Sequence, residues 1–269
     1  MQLSLDCMTL TNTRPVDLIR SAKIAGFDLV SLWLQPPSRF PLQLVTPAME
    51  KDCVAVLADS GVHVHSLEVF DLSSAEVIKS YRPALELGAR LGAKSAVAIH
   101  VRNPDRAAVA AVLAAFVELA GEFGLGVNIE PLAMCQTSTL AQAGDLIRAA
   151  GVDAGIVFDV YHLVRTGGTV QDVRAVDPAL IRHVQVNDGV ASISADAMRI
   201  EVSEERMYPG EGVFPLVELL SAVPANVAWG IESPSRRRAE SGMAPEMQAK
   251  EAMAALRQVI GKVKSRVTR

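Results

Sequence analysis

Eight short apolar runs of strand length alternate with helix-like runs through the whole chain, with no linker and no composition break. No other feature constrains the fold as much. The strand-like runs are Gln2–Cys7, Leu29–Leu34, Val62–Val69, Ser95–Val101, then GVNI from Gly126, GIVFD from Gly155, IRHVQV from Ile181, and Val227–Ser233. The helix-like runs carry their own punctuation. Pro15 suits a first helical position and Gly26 an end. Thr46 and Pro47 open a run that lasts to Ser60–Gly61, and Ser73–Gly92 forms a long one that Pro83 is expected to kink. Asp105–Gly124, Phe214–Val223 and Glu246–Val263 supply further helices. Two stretches read as loops: PPSRFP from Pro36, stiff and long enough to cover something, and the polar, aperiodic segment from Asp188 to Pro209–Gly212.

Alternating strands and helices imply a parallel sheet with right-handed crossovers. Eight such units close most naturally into an α/β fold of the (β/α)8 TIM barrel type, expected as a single domain over residues 1–269. An open doubly wound sheet fits less well, because no G-x-G-x-x-G follows the first strand. Composition supports a packed core: half of the residues are hydrophobic and 21% are charged. A net charge of −4 gives no basic surface for nucleic acid. Cys7, Cys53 and Cys135 are odd in number and widely spaced, which argues for a reducing compartment. Asp6 interrupts the first apolar run, so it is not a signal peptide, and the charge-free segment Ala107–Val117 is too short to cross a bilayer. The expectation is a cytoplasmic protein with no membrane or nucleic-acid partner, and with room for a homo-oligomer.

Strand alternation sorts the strand ends. Asn128 shares a face with Glu130, and Asp159 shares one with Val157. His183, Gln185 and Asn187 lie together, as do Gly230 and Glu232, opposite Trp229 and Ile231. Glu130, Asp159, Gln185 and Glu232 therefore reach the mouth of a barrel, each at or beside a C-terminal strand end. One such carboxylate is normally a solvated strand end, since carboxylates prefer water. Four acceptor groups on consecutive strands of one half-barrel can converge on a single ion.

At these residues the chain resembles the xylose-isomerase-like TIM barrels: sugar and sugar-phosphate isomerases and epimerases, related dehydratases, and an endonuclease branch. The resemblance is carried by IEP at Ile129–Pro131, D-x-x-H at Asp159–His162, H-x-Q-x-x-D at His183–Asp188, R-x-x-P-G-E-G at Arg206–Gly212, and IE at Ile231–Glu232. It implies one divalent metal ion held by Glu130, Asp159, Gln185 and Glu232, with His162 and Arg206 contacting substrate. Those four ligands offer oxygen alone, a set that suits Mn²⁺ or Mg²⁺ better than Zn²⁺. The implied activity is isomerisation or epimerisation of a sugar, ketose or related polyhydroxy carbonyl compound. Protons would move through a metal-stabilised enediolate, with Glu130 and Glu232 as base and acid.

Other residues bear on the mouth. Glu68 and His100, at or near the ends of strands three and four, are candidate substrate contacts. His63 and His65 share a face that alternation sets opposite Glu68, so both are expected to pack against helices. Trp33 is either core or an apolar wall for a ligand. Glu211 is expected to order its loop. Arg236, Arg237 and Arg238 read as a solvated turn sooner than a phosphate site, and Lys94 and Arg102 as alternative anion contacts. The endonuclease branch is excluded by Gln185 at a histidine position, by only five histidines, and by the acidic balance. A binding protein that has lost catalysis would show a broken constellation, and all four ligand positions are intact. The serious rival is a lyase of the inosose or 3-dehydroshikimate type, because the same intermediate can expel a β-hydroxyl.

Overall fold

The computed structural model describes residues 1–35 and 43–267; the PPSRFP loop lies outside the described residues. Eight parallel strands form a closed barrel in chain order: β1 (Leu3–Leu5), β2 (Leu29–Trp33), β3 (His63–Asp71), β4 (Ser95–Ile99), β5 (Gly126–Ile129), β6 (Gly155–Asp159), β7 (Ile181–Val186) and β8 (Ala228–Ile231). The seam is closed by β8 against β1, with Leu3 opposite Trp229 and Leu5 opposite Ile231. Around the barrel run α1 (Pro15–Ala25), α2 (Glu50–Ser60), α3 (Ala75–Ser80), α4 (Arg82–Arg90), α5 (Arg106–Gly121), α6 (Leu140–Ala150), α7 (Val160–Arg165), α8 (Val170–Ala175), α9 (Ala195–Glu204), α10 (Leu216–Leu220), α11 (Arg236–Ala239) and α12 (Pro245–Val267).

The punctuation works as its chemistry requires. Gly26 ends α1 in the left-handed region at φ 85°, where a side chain would be strained, and its N–H closes the helix on Ala22 and Lys23. The Asp105 carboxylate accepts from Ala107 N and Ala108 N at the start of α5. The long third helix is divided at Tyr81 into α3 and α4, with Pro83 in the first turn of the second piece, where a missing N–H costs nothing.

Two segments depart from the sequence pattern. In β3, Val64 pairs with Val30 and Ser66 with Ser31, so His65 is an extra residue at a bulge. The bulge resets the alternation, and the expected outward packing of His65 is corrected: its ring lies 4.5 Å from that of His183. The second departure is α9, which occupies the segment expected to be a loop. A buried ion pair anchors it beside a short apolar contact, Met198 and Val202 against the core. Glu201 Oε1 lies 2.6 Å from Arg165 Nη2, with both side chains almost fully enclosed. Periodicity analysis cannot detect a helix held in this way.

Candidate active site

The site is built at the C-terminal ends of β5 to β8. Glu130 follows β5, and its N–H bonds to Ala98 O at 2.9 Å. Asp159 ends β6 and caps α7, accepting from Tyr161 N at 2.6 Å and His162 N at 3.3 Å. The D-x-x-H spacing is thus one helical turn, and it swings His162 back over the strand end. Gln185 lies on β7 and Glu232 follows β8; Gln185 Nε2 donates to Glu232 Oε1 at 3.0 Å. Glu130, Asp159, His162, Gln185 and Glu232 are all at most 7% exposed.

Arg206 stands among them. Its Nη1 lies 2.8 Å from Asp159 Oδ2 and 3.0 Å from Glu232 Oε2, and its Nε donates to Val202 O. The guanidinium is 4.6 Å above the Tyr161 ring. Burial works against its charge, but Asp159 and Glu232 hold it protonated. Burial likewise raises Asp159, and Arg206 and His162 overcome that and keep its carboxyl below the usual range. Glu130 and Glu232 are raised well above it, first by burial and then by neighbouring carboxylates. His162 is pushed down to about 3, chiefly by burial, so its ring is neutral. Ala133 N–H donates to Nδ1 at 3.1 Å, and Nε2 lies 3.4 Å from Arg206 Nη2 and 3.9 Å from Glu130 Oε1.

These residues fit a divalent cation. Glu130, Asp159 and His162 each present a ligand atom within 4.8 Å of the others. Gln185 Oε1 is buried and has no hydrogen-bond partner among the described residues, a deficit that a cation would satisfy. Arg206 already supplies part of the positive charge that so many buried carboxylates demand.

A cavity of about 130 Å³ opens onto Glu130, Glu232, His162, Arg206 and Glu68, with Trp33 on its apolar side. Glu68 is 3% exposed and is raised to about 7, by burial and then by the charge of Asp6. His100 is not among the residues lining this cavity. Its ring is held by Thr137 Oγ1 at 2.9 Å and Asn103 O at 2.6 Å, which orders the strand-four rim. Lys94 and Arg102 do not line it either. Glu211 accepts from Tyr208 N and Arg238, and Arg238 stacks on the Tyr208 ring at 3.7 Å. Arg236 pairs with Glu204, so two of the three adjacent arginines serve the loops around the mouth.

Several contributors escape sequence reasoning. Asn187 Nδ2 donates to Asp159 Oδ1 at 3.0 Å, fixing the carboxylate from a second side. Beneath the site, Asp6 Oδ2 meets His183 Nε2 at 3.0 Å, and Ser4 Oγ donates to Asp6 Oδ1 at 2.6 Å. The signal for Asp6 was an acid inside an apolar strand run. Asp188 accepts from Gly189 N, Gly210 N and Phe214 N, each at 2.9 Å, and so clasps the PGEG loop.

A parallel (β/α)8 barrel with a carboxylate-rich C-terminal mouth defines the class. Residues 19–259 match the model of the xylose isomerase-like TIM barrel family, and the chain belongs to that family. Over 158 residues it is 25% identical to an inosose isomerase of Bacillus velezensis; the match spans 55% of this chain and 55% of that protein. Among solved structures, the IolI protein with a bound zinc atom superposes with a TM-score of 0.80 at 17% identity, covering 98% of this chain and 99% of that one. The probable 3-DHS dehydratase AsbF of Bacillus anthracis superposes with a TM-score of 0.73 at 16% identity, covering 95% and 98%.

Proposed function

We propose that this chain is a divalent-metal-dependent isomerase or epimerase of a small sugar-like hydroxycarbonyl compound. The observation that carries the proposal is the pair Glu130 and Glu232: two buried carboxyl groups that line one cavity with Arg206, whose guanidinium also holds Asp159. Two carboxyl groups on one cavity can remove a proton beside a carbonyl and return it, which is what isomerisation or epimerisation requires. Glu130, Asp159, Gln185 and Glu232 would hold the ion, and His162 lies close enough to Glu130 and Asp159 to join them. Such an ion, when bound, supplies Lewis-acid polarisation of a substrate carbonyl. Oxygen donors favour Mn²⁺ or Mg²⁺, while the zinc in the IolI structure supports a divalent ion in general. Arg206 holds Asp159 and Glu232 in place and offers Nη2 toward a substrate oxygen.

A dehydratase is the second reading, favoured by Glu68. This third buried carboxyl lines the same cavity and is raised to about 7, so it can be protonated near neutral pH and deliver a proton to a leaving hydroxyl. Both readings share the first proton abstraction. Incubating ketoses, inososes and 3-dehydroshikimate with the metal-loaded protein in D₂O separates them. Deuterium entry with an isomeric product supports the first, and loss of water supports the second. No exchange and no water loss from any compound would overturn both.

A further inference from the structure

We propose that Thr9 is a positioning residue: its hydroxyl replaces a missing rung of the barrel seam and so fixes the backbone that carries Glu232. Thr9 thereby serves the metal and proton-transfer role proposed above for Glu232, and its own role rests on that reading.

The seam shows why a hydroxyl is needed there. Parallel strands exchange evenly spaced bonds, with donors and acceptors alternating along each edge. Between β8 and β1, Trp229 N donates to Gln2 O and, farther along, Asp6 N donates to Ile231 O. Leu5 faces Ile231 in this register, so Asp6 comes opposite Glu232. The next rung would then run from Ser233 N to Asp6 O. The chain turns at that point. Cys7–Leu10 form a short 3-10 turn, and Asp6 O accepts from Thr9 N at 2.9 Å instead. Ser233 is fully buried, and a buried N–H without an acceptor is costly.

Thr9 answers that need with its side chain. Its Oγ1 accepts from Ser233 N at 3.1 Å and donates to Ile231 O at 2.7 Å. These bonds fall on the peptide groups immediately before and after Glu232. The residue's own N–H bonds to Val186 O at 3.3 Å, and its C=O lies 3.4 Å from Arg206 Nη1. Thr9 therefore makes the shorter contacts on either side. Thr9 does not line the cavity, so it acts through the residues it holds.

The same stretch of backbone also sets Arg206. Ser233 Oγ donates to Met207 O at 3.0 Å, and Arg206 N donates to Pro234 O at 3.0 Å. The Glu232 carboxylate meets Gln185 Nε2 at 3.0 Å and Arg206 Nη1 at 3.0 Å. A shift of the peptide after Glu232 would disturb both contacts, because a site is only as precise as the backbone beneath it.

The test uses the full chain with Mn²⁺ alone as the probe. Mn²⁺ affinity is read from the electron paramagnetic resonance of the free ion, for the parent, Thr9→Val, Thr9→Ser, Glu232→Ala and the Thr9→Val/Glu232→Ala pair. Thr9→Val keeps the shape and removes the donor and acceptor. It should weaken Mn²⁺ by about 10–100-fold, as loss of a ligand's supporting partner does. Thr9→Ser keeps the hydroxyl and should stay within about threefold of the parent. In the Glu232→Ala background, Thr9→Val should cost less than about threefold, because the group it acts through is gone. Equal losses in the two backgrounds, Thr9→Ser as weak as Thr9→Val, or Thr9→Val binding like the parent overturns the proposal. Metal-free crystal structures form a second arm that needs no ion. Thr9→Val should show Glu232 displaced from Gln185 and Arg206, and unchanged contacts overturn the proposal. A parent that binds no Mn²⁺, with Glu232 displaced in Thr9→Val, overturns the metal reading and spares the positioning role. Should Thr9→Val fail to fold, hydrogen exchange on the parent decides. The Ser233 amide should exchange as slowly as the seam amides of Asp6 and Trp229, and exchange at the rate of exposed loops overturns the proposal.

Discussion

At the scale of single residues, the site is a problem in charge compensation. Glu68, Glu130, Asp159 and Glu232 are all nearly sealed from water, and among the described residues one guanidinium enters their midst. Replacing Glu130 or Glu232 by glutamine keeps an oxygen in place but removes a proton acceptor. Each variant, assayed at saturating metal, is expected to lose on the order of 10²–10⁴ in turnover, the usual worth of a positioned acid or base. Turnover within a few-fold of the parent in both would displace the two-glutamate mechanism and make His162 or Glu68 the next base to test. Glu68 also leaves a mark on stability. Burial, then Asp6, raises it from 4.5 to about 7. The folded state therefore keeps a proton that the unfolded chain releases near its ordinary value. The stabilising effect is complete below that value and is lost as pH climbs to about 7, about 3 kcal/mol in all. Urea titrations from pH 4 to pH 8 should show the parent losing stability over that window relative to Glu68→Gln; parallel curves would contradict the shift. The four strand-end acceptors were legible in the sequence because alternation and strand order fix where such side chains point. Asn187 and Asp6 were not, because their roles depend on which atom of a neighbour they reach, and alternation carries no distances.

At the scale of elements, the mouth owes its shape to segments that sequence periodicity describes poorly. The (β/α) alternation was readable because the strands are apolar and short and α1, α2, α5 and α6 each have a cap or a glycine stop. The bulge at His65 was hidden, since one extra residue reverses side-chain direction without altering composition. The helix α9 was hidden because only Met198 and Val202 reach the core and the Arg165–Glu201 pair supplies the rest of its docking. The connection that carries Arg206 leaves and rejoins the barrel through an isolated pairing of Asp188 with Met207. Asp188 then accepts three backbone N–H groups of the two flanking turns. A carboxylate in that position substitutes for the backbone partners that a tight loop cannot provide. Gly212 packs so closely on Asp188 and Gly189 that a Cβ there would overlap them. Asp188→Ala leaves three donors without their acceptor and is expected to cost about 3 kcal/mol or more. Limited proteolysis should then cut first between Gly189 and Gly212. A cleavage pattern identical to the parent's would mean that the loop is held by other contacts.

At the scale of the whole molecule, closure of the barrel couples the site to global stability. The first and last strands pair directly, and α1 packs against α12, so the two ends of the chain complete a single unit. The count of eight units made this closure readable before any contact was known. The proposed ligands sit on or follow four strands in a row, β5 to β8, and the site exists only while those strands remain in register. A divalent ion that binds there stabilises the folded chain alone, by about 2.7 kcal/mol at a hundred times its Kd. With about 2–4 °C of Tm per kcal/mol for a chain near this size, adding Mn²⁺ to the chelated protein should raise Tm by about 5–10 °C. Arg206 gives the measurement its direction. Its guanidinium and the ion neutralise the same carboxylates, so removing the guanidinium should make the chain depend more heavily on metal. In the presence of chelator, Arg206→Met strands Asp159 and Glu232 without a partner cation and should cost about 3–5 kcal/mol, the penalty for breaking a buried ion pair. Mn²⁺ should then recover more Tm in the variant than it adds to the parent, although the loss of Arg206 leaves turnover low. Equal gains in the two proteins would show that the ion and the guanidinium act on separate groups. No gain in either would remove Glu130, Asp159, Gln185 and Glu232 as a metal site, because an ion bound across four strands cannot leave global unfolding unchanged.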